Sequence, residues 1–203
     1  MKRLSVILFT LILAIGAYAA NPTAAAILDN IRRNVLSKDA VEAKFTINGG
    51  EGPVQGSMTI SGAKFAMLTP HLKVWYDGRT QWTYLASTGE VSITEPTADE
   101  LAASNPFAIL SSYSSRYDVR RIADVNGCYR VELIPKAKDS GIEKIVVVTD
   151  PSGNLPRAIT ITFDGGQKIE MVVDHIGTIS KPSDTSFRYN EKLQPASEII
   201  DLR

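Results

Sequence analysis

Between Gly56 and Pro96 the sequence GSMTISGAKFAMLTPHLKVWYDGRTQWTYLASTGEVSITEP leaves little choice of fold. Met58 and Ile60 alternate with Ser57, Thr59 and Ser61, and Phe65 and Met67 with Lys64, Ala66 and Leu68. Val74 with Tyr76, Trp82 with Tyr84, and Val91 with Ile93 continue the rhythm. A period of two in β-branched and aromatic residues marks half-buried strands. Asp77-Gly78 is the pair favoured by a two-residue type I′ hairpin turn, in which both central residues take positive φ. Gly62, Pro70 and Gly89 mark further reversals at the roughly 8–12-residue spacing of all-β sandwiches and barrels.

Everything else can be placed around this meander. Upstream, Ala24, Ile27, Leu28, Ile31 and Val35 fall on one face of a helix, with Asn21 as its expected cap and Pro22 in its first turn. Such a narrow apolar stripe needs a sheet to lie on. Val41, Ala43, Phe45 and Ile47 then alternate through a first strand. Downstream, Thr97 and Glu100 have the spacing of a capping box. Asn105-Pro106 starts a second short helix carrying Phe107, Ile109, Leu110 and Tyr113. Strands resume over residues 117–122 and 129–133, turning at Asn126-Gly127, and continue to Val173. Residues 142–149 are apolar on both faces and should be covered on both, so the sheet should wrap round and enclose something apolar.

The first residues read as a leader. Lys2 and Arg3 precede an apolar run over residues 4–15, followed by Ala17-Tyr18-Ala19. This is the layout of a secretory signal peptide over residues 1–19, with cleavage before Ala20, and the run is too short to span a bilayer. Residues 20–203 then form one domain, whose 44% hydrophobic and 22% charged residues suit a single core. The formal charge is zero and becomes −2 once Lys2 and Arg3 are removed, so nothing attracts nucleic acid by bulk electrostatics. The lone Cys128 excludes an internal disulfide and reads as a buried, inert thiol.

Chemistry-bearing patterns are missing. No G-x-S-x-G, H-E-x-x-H, phosphate loop or Cys/His metal spacing occurs, and His71 and His175 stand apart from any nucleophile motif. Glu132, Glu143 and Glu170 are expected on solvated outer strand faces. We therefore expect a binding protein rather than an enzyme, with no catalytic residues, metal or cofactor.

The order of signal peptide, amphipathic helix, strand pair, Gly56…Phe65, Asp77-Gly78, Trp82-x-Tyr84 and Asn105-Pro106-Phe107…Leu110 resembles the periplasmic outer-membrane lipoprotein carriers, the LolA-like family. Asp150–Asn154 as a turn and the late Ser186-Phe187-Arg188-Tyr189 extend the similarity over the mature chain. The resemblance implies a mainly β fold with a few helices: an unclosed antiparallel β-barrel, or half-barrel, whose N-terminal helix and short lid helices cover an apolar concave face. It implies a periplasmic monomer that shields the acyl chains of lipoproteins in transit from inner to outer membrane. Its partners would be acylated lipoproteins or other lipid cargo, an inner-membrane lipoprotein-releasing ABC complex and an outer-membrane acceptor. One long acyl chain holds about 10 kcal/mol of membrane affinity at about 0.8 kcal/mol per CH₂, so such cargo needs a carrier. The implied cargo-binding residues are Phe45, Ile47, Met58, Ile60, Phe65, Met67, Trp82 and Tyr84, and the implied lid residues are Phe107, Ile109 and Leu110. Plain core packing uses the same residue types. Where the family's well-studied members carry a lid-latching arginine, this chain reads Ser61-Gly62-Ala63-Lys64, and Met67 stands where an aromatic is expected. A lipid- or glycolipid-binding sensor on the same half-barrel is the alternative reading.

Overall fold

The computed structural model describes residues 21–50 and 52–203; the expected signal peptide and mature start lie outside them. Helix α1 (Ala24–Val35) begins at Thr23, whose hydroxyl accepts a hydrogen bond from the Ala26 N–H at 3.2 Å. Thr23 thus takes the capping role expected of Asn21, because a β-region residue one step before the first helical turn is what a cap requires. All five residues of the apolar stripe are buried.

Six strands follow: β1 (Val41–Asn48), β2 (Val54–Ser61), β3 (Lys64–Leu68), β4 (Leu72–Tyr76), β5 (Gln81–Leu85) and β6 (Glu90–Thr94). Helix α2 (Ala98–Ser104), a 3₁₀ turn (Pro106–Ala108) and helix α3 (Ile109–Arg116) interrupt the β structure. Strands β7 (Tyr117–Val125), β8 (Cys128–Pro135), β9 (Ile142–Thr149), β10 (Pro156–Phe163) and β11 (Lys168–Thr178) complete the main body. A C-terminal segment, with a 3₁₀ turn at Asp184–Phe187, ends in β12 (Glu198–Asp201). These strands form one sheet of order β12-β6-β5-β4-β3-β2-β1-β11-β10-β9-β8-β7. Its ends do not meet, and every pair is antiparallel except β12 with β6. The architecture is therefore a mainly β, unclosed barrel with a few helices on its concave side.

The turns follow their chemistry, with one correction. Asn126 and Gly127 take φ of 49° and 75°, the left-handed pair of a tight hairpin joining β7 to β8. At Asp77-Gly78 the expected two-residue turn is replaced by a four-residue loop closed by Tyr76 opposite Gln81. The Asp77 carboxylate accepts from the N–H groups of Arg79 and Thr80 at 3.1 and 3.0 Å, so the aspartate caps the loop and only Gly78 needs positive φ.

Direct cross-strand partners share a face of the sheet. On the concave side this gives the rows Phe65–Tyr76–Gln81–Thr94 and Met67–Val74–Thr83–Ser92; on the convex side it gives Ala66–Trp75–Trp82–Ile93. Apolar character thus crosses the sheet between β4 and β5. The concave core runs through β1–β4 and β7–β11 and takes in α1, Ala102 of α2, and Phe107, Ile109, Leu110 and Tyr113. The convex apolar surface of β3–β6 is covered by the C-terminal segment. Phe187 is 1% exposed, the Tyr189 ring lies 5.7 Å from that of Trp75, and Lys73 donates to Gln194. Lys64 pairs with Asp184 at 2.8 Å and Arg188 with Asp77 at 3.0 Å.

Three local expectations change. Val146 and Val148 on the outer face of β9 are half-buried rather than covered, lying beside Glu132, Arg130, Thr160 and Ala158. Stems of the long charged neighbours suffice to shield isolated valines on an antiparallel sheet. Glu132 is buried, not solvated, because Arg120 of the neighbouring strand lies against it at 2.5 Å. Cys128 is half-buried at a hairpin tip rather than fully buried.

Candidate functional site

Beneath α2 and the Pro106–Ala108 turn, the concave face leaves a cavity of about 150 Å³ lined by Ile47, Met67, Leu72, Ser104, Pro106, Ile159, Ile161, Ile169 and Met171. Ser104 is its single hydroxyl-bearing side chain. Pairing of β1 with β11 and of β11 with β10 builds the floor: Ile47 lies opposite Met171, Met171 opposite Ile159, and Ile169 opposite Ile161. Met67 and Leu72 come from the meander on the other side.

The cover has two parts that are held differently. The 3₁₀ turn and α3 are anchored in the core, with Phe107, Ile109 and Leu110 each at most 3% exposed. Asn105, itself buried, accepts from the Phe107 N–H at 3.0 Å and fixes the start of the turn. The Tyr113 hydroxyl donates to Asp29 of α1 at 2.9 Å. Burial first, then that carboxylate partner, push the Tyr113 phenol above its usual pKa. Helix α2 is capped by the Thr97–Glu100 box and packs Ala102, which is buried, into the core. Its C-terminal Ser104 donates to the Gln81 side chain of β5 at 3.0 Å. Lys64 alternates with Phe65 and faces away from these helices, toward Asp184.

The structure separates the residues that sequence had grouped. Ile47 and Met67 line the cavity. Phe45, Met58, Ile60 and Phe65 are buried on the same face as packed core around it. Trp82 and Tyr84 lie on the opposite face, because the register places Trp82 beside Trp75 and Tyr84 beside Lys73 and Val91. They join the packing under the C-terminal segment instead of the concave lining. Leu72, Ile159, Ile161, Ile169 and Met171 were missed as site residues. Their alternation was visible, but only the long-range pairing of β11 with β1 brings them to Met67.

Among the described residues, no group of three His, Cys, Asp or Glu side chains is arranged to hold a metal ion, and no helix is long and apolar enough to cross a membrane. The arrangement can enclose hydrocarbon.

A family model described as outer membrane lipoprotein carrier protein LolA matches residues 15–167. No curated protein matches the chain. An uncharacterized conserved protein from Thermus thermophilus superposes with a TM-score of 0.58 at 10% identity, over 86% of this chain and 96% of that one. A putative outer membrane lipoprotein-sorting protein domain from Vibrio parahaemolyticus does so with a TM-score of 0.50 at 13% identity, over 84% and 97% of the two chains. These structural likenesses concern the fold, whereas the family model spans most of the sequence. On that match, the chain belongs to the outer membrane lipoprotein carrier protein LolA family.

Proposed function

We propose that this protein is a periplasmic carrier that holds the acyl chains of lipoproteins while they pass from the inner to the outer membrane. The observation that carries the reading is the cavity: almost wholly hydrocarbon in lining, on the concave face of an open barrel, and roofed at Ser104 and Pro106. Pockets for whole small ligands measure about 300–1,000 Å³, so at about 150 Å³ this is a closed form that cargo must widen. Helix α2 moves aside, while the turn at Phe107 and helix α3, with Ile109 and Leu110, stay as the fixed inner wall. Acyl chains then lie along Ile47, Met67, Ile159 and Met171. Loading and unloading fall to an inner-membrane lipoprotein-releasing ABC complex and an outer-membrane acceptor.

The native protein should bind an apolar fluorescent reporter, and acylated peptides should displace it stoichiometrically without a change in the far-ultraviolet circular dichroism. Reporter binding that appears only on partial unfolding would refute the carrier reading.

A further inference from the structure

The sheet ends differently on its two sides. Beyond β6 it is closed off by β12 and the C-terminal segment, whereas β7 is the last strand on the other side, with no further strand beside it among the described residues. Its free edge can be read from the ladder. The Lys136 N–H donates to the Arg116 carbonyl at 2.9 Å, which makes Tyr117 and Pro135 a pair not directly hydrogen-bonded. Val119 opposite Leu133 and Arg121 opposite Val131 follow in the same phase, so the N–H and C=O groups of Val119 and Arg121 point outward. Neither backbone has a hydrogen-bond partner among the described residues. The side chains on either side of Val119 are opposite in sign, and both Asp118 and Arg120 are exposed on the convex face. Asp118 makes no ion pair among the described residues, while Arg120 keeps 70% of its side chain accessible beside Glu132, room for a second carboxylate.

We propose that β7 pairs antiparallel with β7 of a second copy of this chain, about a twofold axis through Val119, joining two barrels into one continuous sheet. In this register the Val119 residues face each other and exchange reciprocal backbone hydrogen bonds. Asp118 lies opposite Arg120 of the partner subunit, and Arg120 opposite the partner's Asp118, at the closer, non-hydrogen-bonded positions where side chains meet best. Charge specifies the register. A slip of two residues is the smallest that keeps each side chain on its own face. In one direction it sets Arg120 against the partner's Arg120, in the other Asp118 against the partner's Asp118, and like charges directly opposite are destabilising. Charges of one sign along an edge would repel such pairing, which is one way sheets are kept apart. Asp118-Val119-Arg120 is instead its own complement under a twofold axis, as an isologous interface requires. The contact is narrow, so association is reversible and needs high protein concentration. No residue of β7 lines the cavity, so the dimer is independent of the carrier reading; it departs from the monomer that the family resemblance implies.

Sedimentation velocity of the purified protein from about 10 μM to about 1 mM tests this, over the range where a small interface becomes populated. The wild-type protein should pass reversibly from monomer to dimer. Val119→Pro removes the outward N–H at an edge position where proline is tolerated, and should leave monomer alone. Asp118→Lys, on an exposed side chain, opposes two cations and should weaken the dimer about tenfold or more. Raising the ionic strength to about 1 M shortens the screening length to about 3 Å, which should weaken the wild-type dimer and strengthen that of Asp118→Lys. Far-ultraviolet circular dichroism checks the fold of each variant, and if Val119→Pro does not fold, Asp118→Lys and its salt series decide. A wild-type protein still monomeric at about 1 mM, or a dimer indifferent to Asp118→Lys or to a folded Val119→Pro, would overturn the proposal.

Discussion

Replacing Met67 by phenylalanine should make the protein more stable and a poorer carrier. Met67 is 4% exposed, lies opposite Met58 and Val74, and lines the cavity beneath α2. An unfilled cavity of about 150 Å³ costs about 3.6 kcal/mol at about 24 cal/mol per Å³, so the closed form is held well short of its best packing. The phenyl ring adds roughly three heavy atoms, about 2 kcal/mol at about 0.8 kcal/mol per methylene-sized group. Repacking strain of about 1 kcal/mol leaves a net gain of about 1 kcal/mol, or about 2–4 °C in Tm for a chain this long. The same atoms occupy the space an acyl chain needs, so reporter affinity should fall about tenfold. Met67→Ala supplies the opposite arm: it should cost about 2–5 kcal/mol in stability yet keep or improve binding. Thermal melts and reporter titrations on the same three proteins decide the matter. A Met67→Phe protein that melts lower than wild type and binds the reporter unchanged would refute the idea that this cavity is both under-packed and the place where hydrocarbon sits.

Gly56→Ala should lower Tm by about 2–12 °C, corresponding to an overpacking cost of about 1–3 kcal/mol. A Cβ there would stand 2.7 Å from the Phe45 ring and 2.9 Å from the Leu68 carbonyl oxygen, and the backbone oxygen has no room to retreat; an unchanged Tm would contradict this. Acid should release the C-terminal segment before the barrel unfolds. Burial raises the Asp77 pKa, but the N–H groups of Thr80 and Arg79 and the Arg188 guanidinium outweigh it, and the Lys64 ammonium lowers that of Asp184. Both folded values lie below the ordinary carboxylate value of about 4, so their stabilisation is present above that pH and disappears as pH falls through the depressed values. Emission from Trp75 and Trp82, on the face covered by this segment, should shift red below about pH 4 while the β-sheet dichroism persists. A shift that merely tracks global unfolding would count against separate docking.

Much of the chain could be read from periodicity alone. The α1 stripe, the alternation of β1–β4, the Thr97–Glu100 box and the Asn105-Pro106 start each express a local physical preference, and each is present in the fold. Alternation, however, says only that Trp82 and Tyr84 share a face with each other. Which face that is follows from the pairing across the Asp77 loop, which sets Trp82 beside Trp75 and so on the side away from Val74 and Tyr76. Likewise the cavity floor is assembled from β1, β10 and β11, whose pairing spans most of the chain. Phe187 is buried and Tyr189 packs on Trp75, but their destination is set by tertiary docking, which no local pattern records.

The parallel contact of β12 with β6 ties residues 198–201 to residues 90–93, about a hundred positions earlier in the chain. Ribosomal synthesis delivers the segment from Ile179 onward after the strands β1–β11. Until then a nascent barrel presents Trp75, Trp82, Tyr84 and Val91 to solvent beside an unpaired strand edge at β6, the pairing template on which aggregation starts. The segment after Ile179 therefore doubles as a late-arriving guard for a hazard that lies on the side of the sheet opposite the cavity. Its loss would show up as poor recovery of soluble protein rather than as a change in reporter binding.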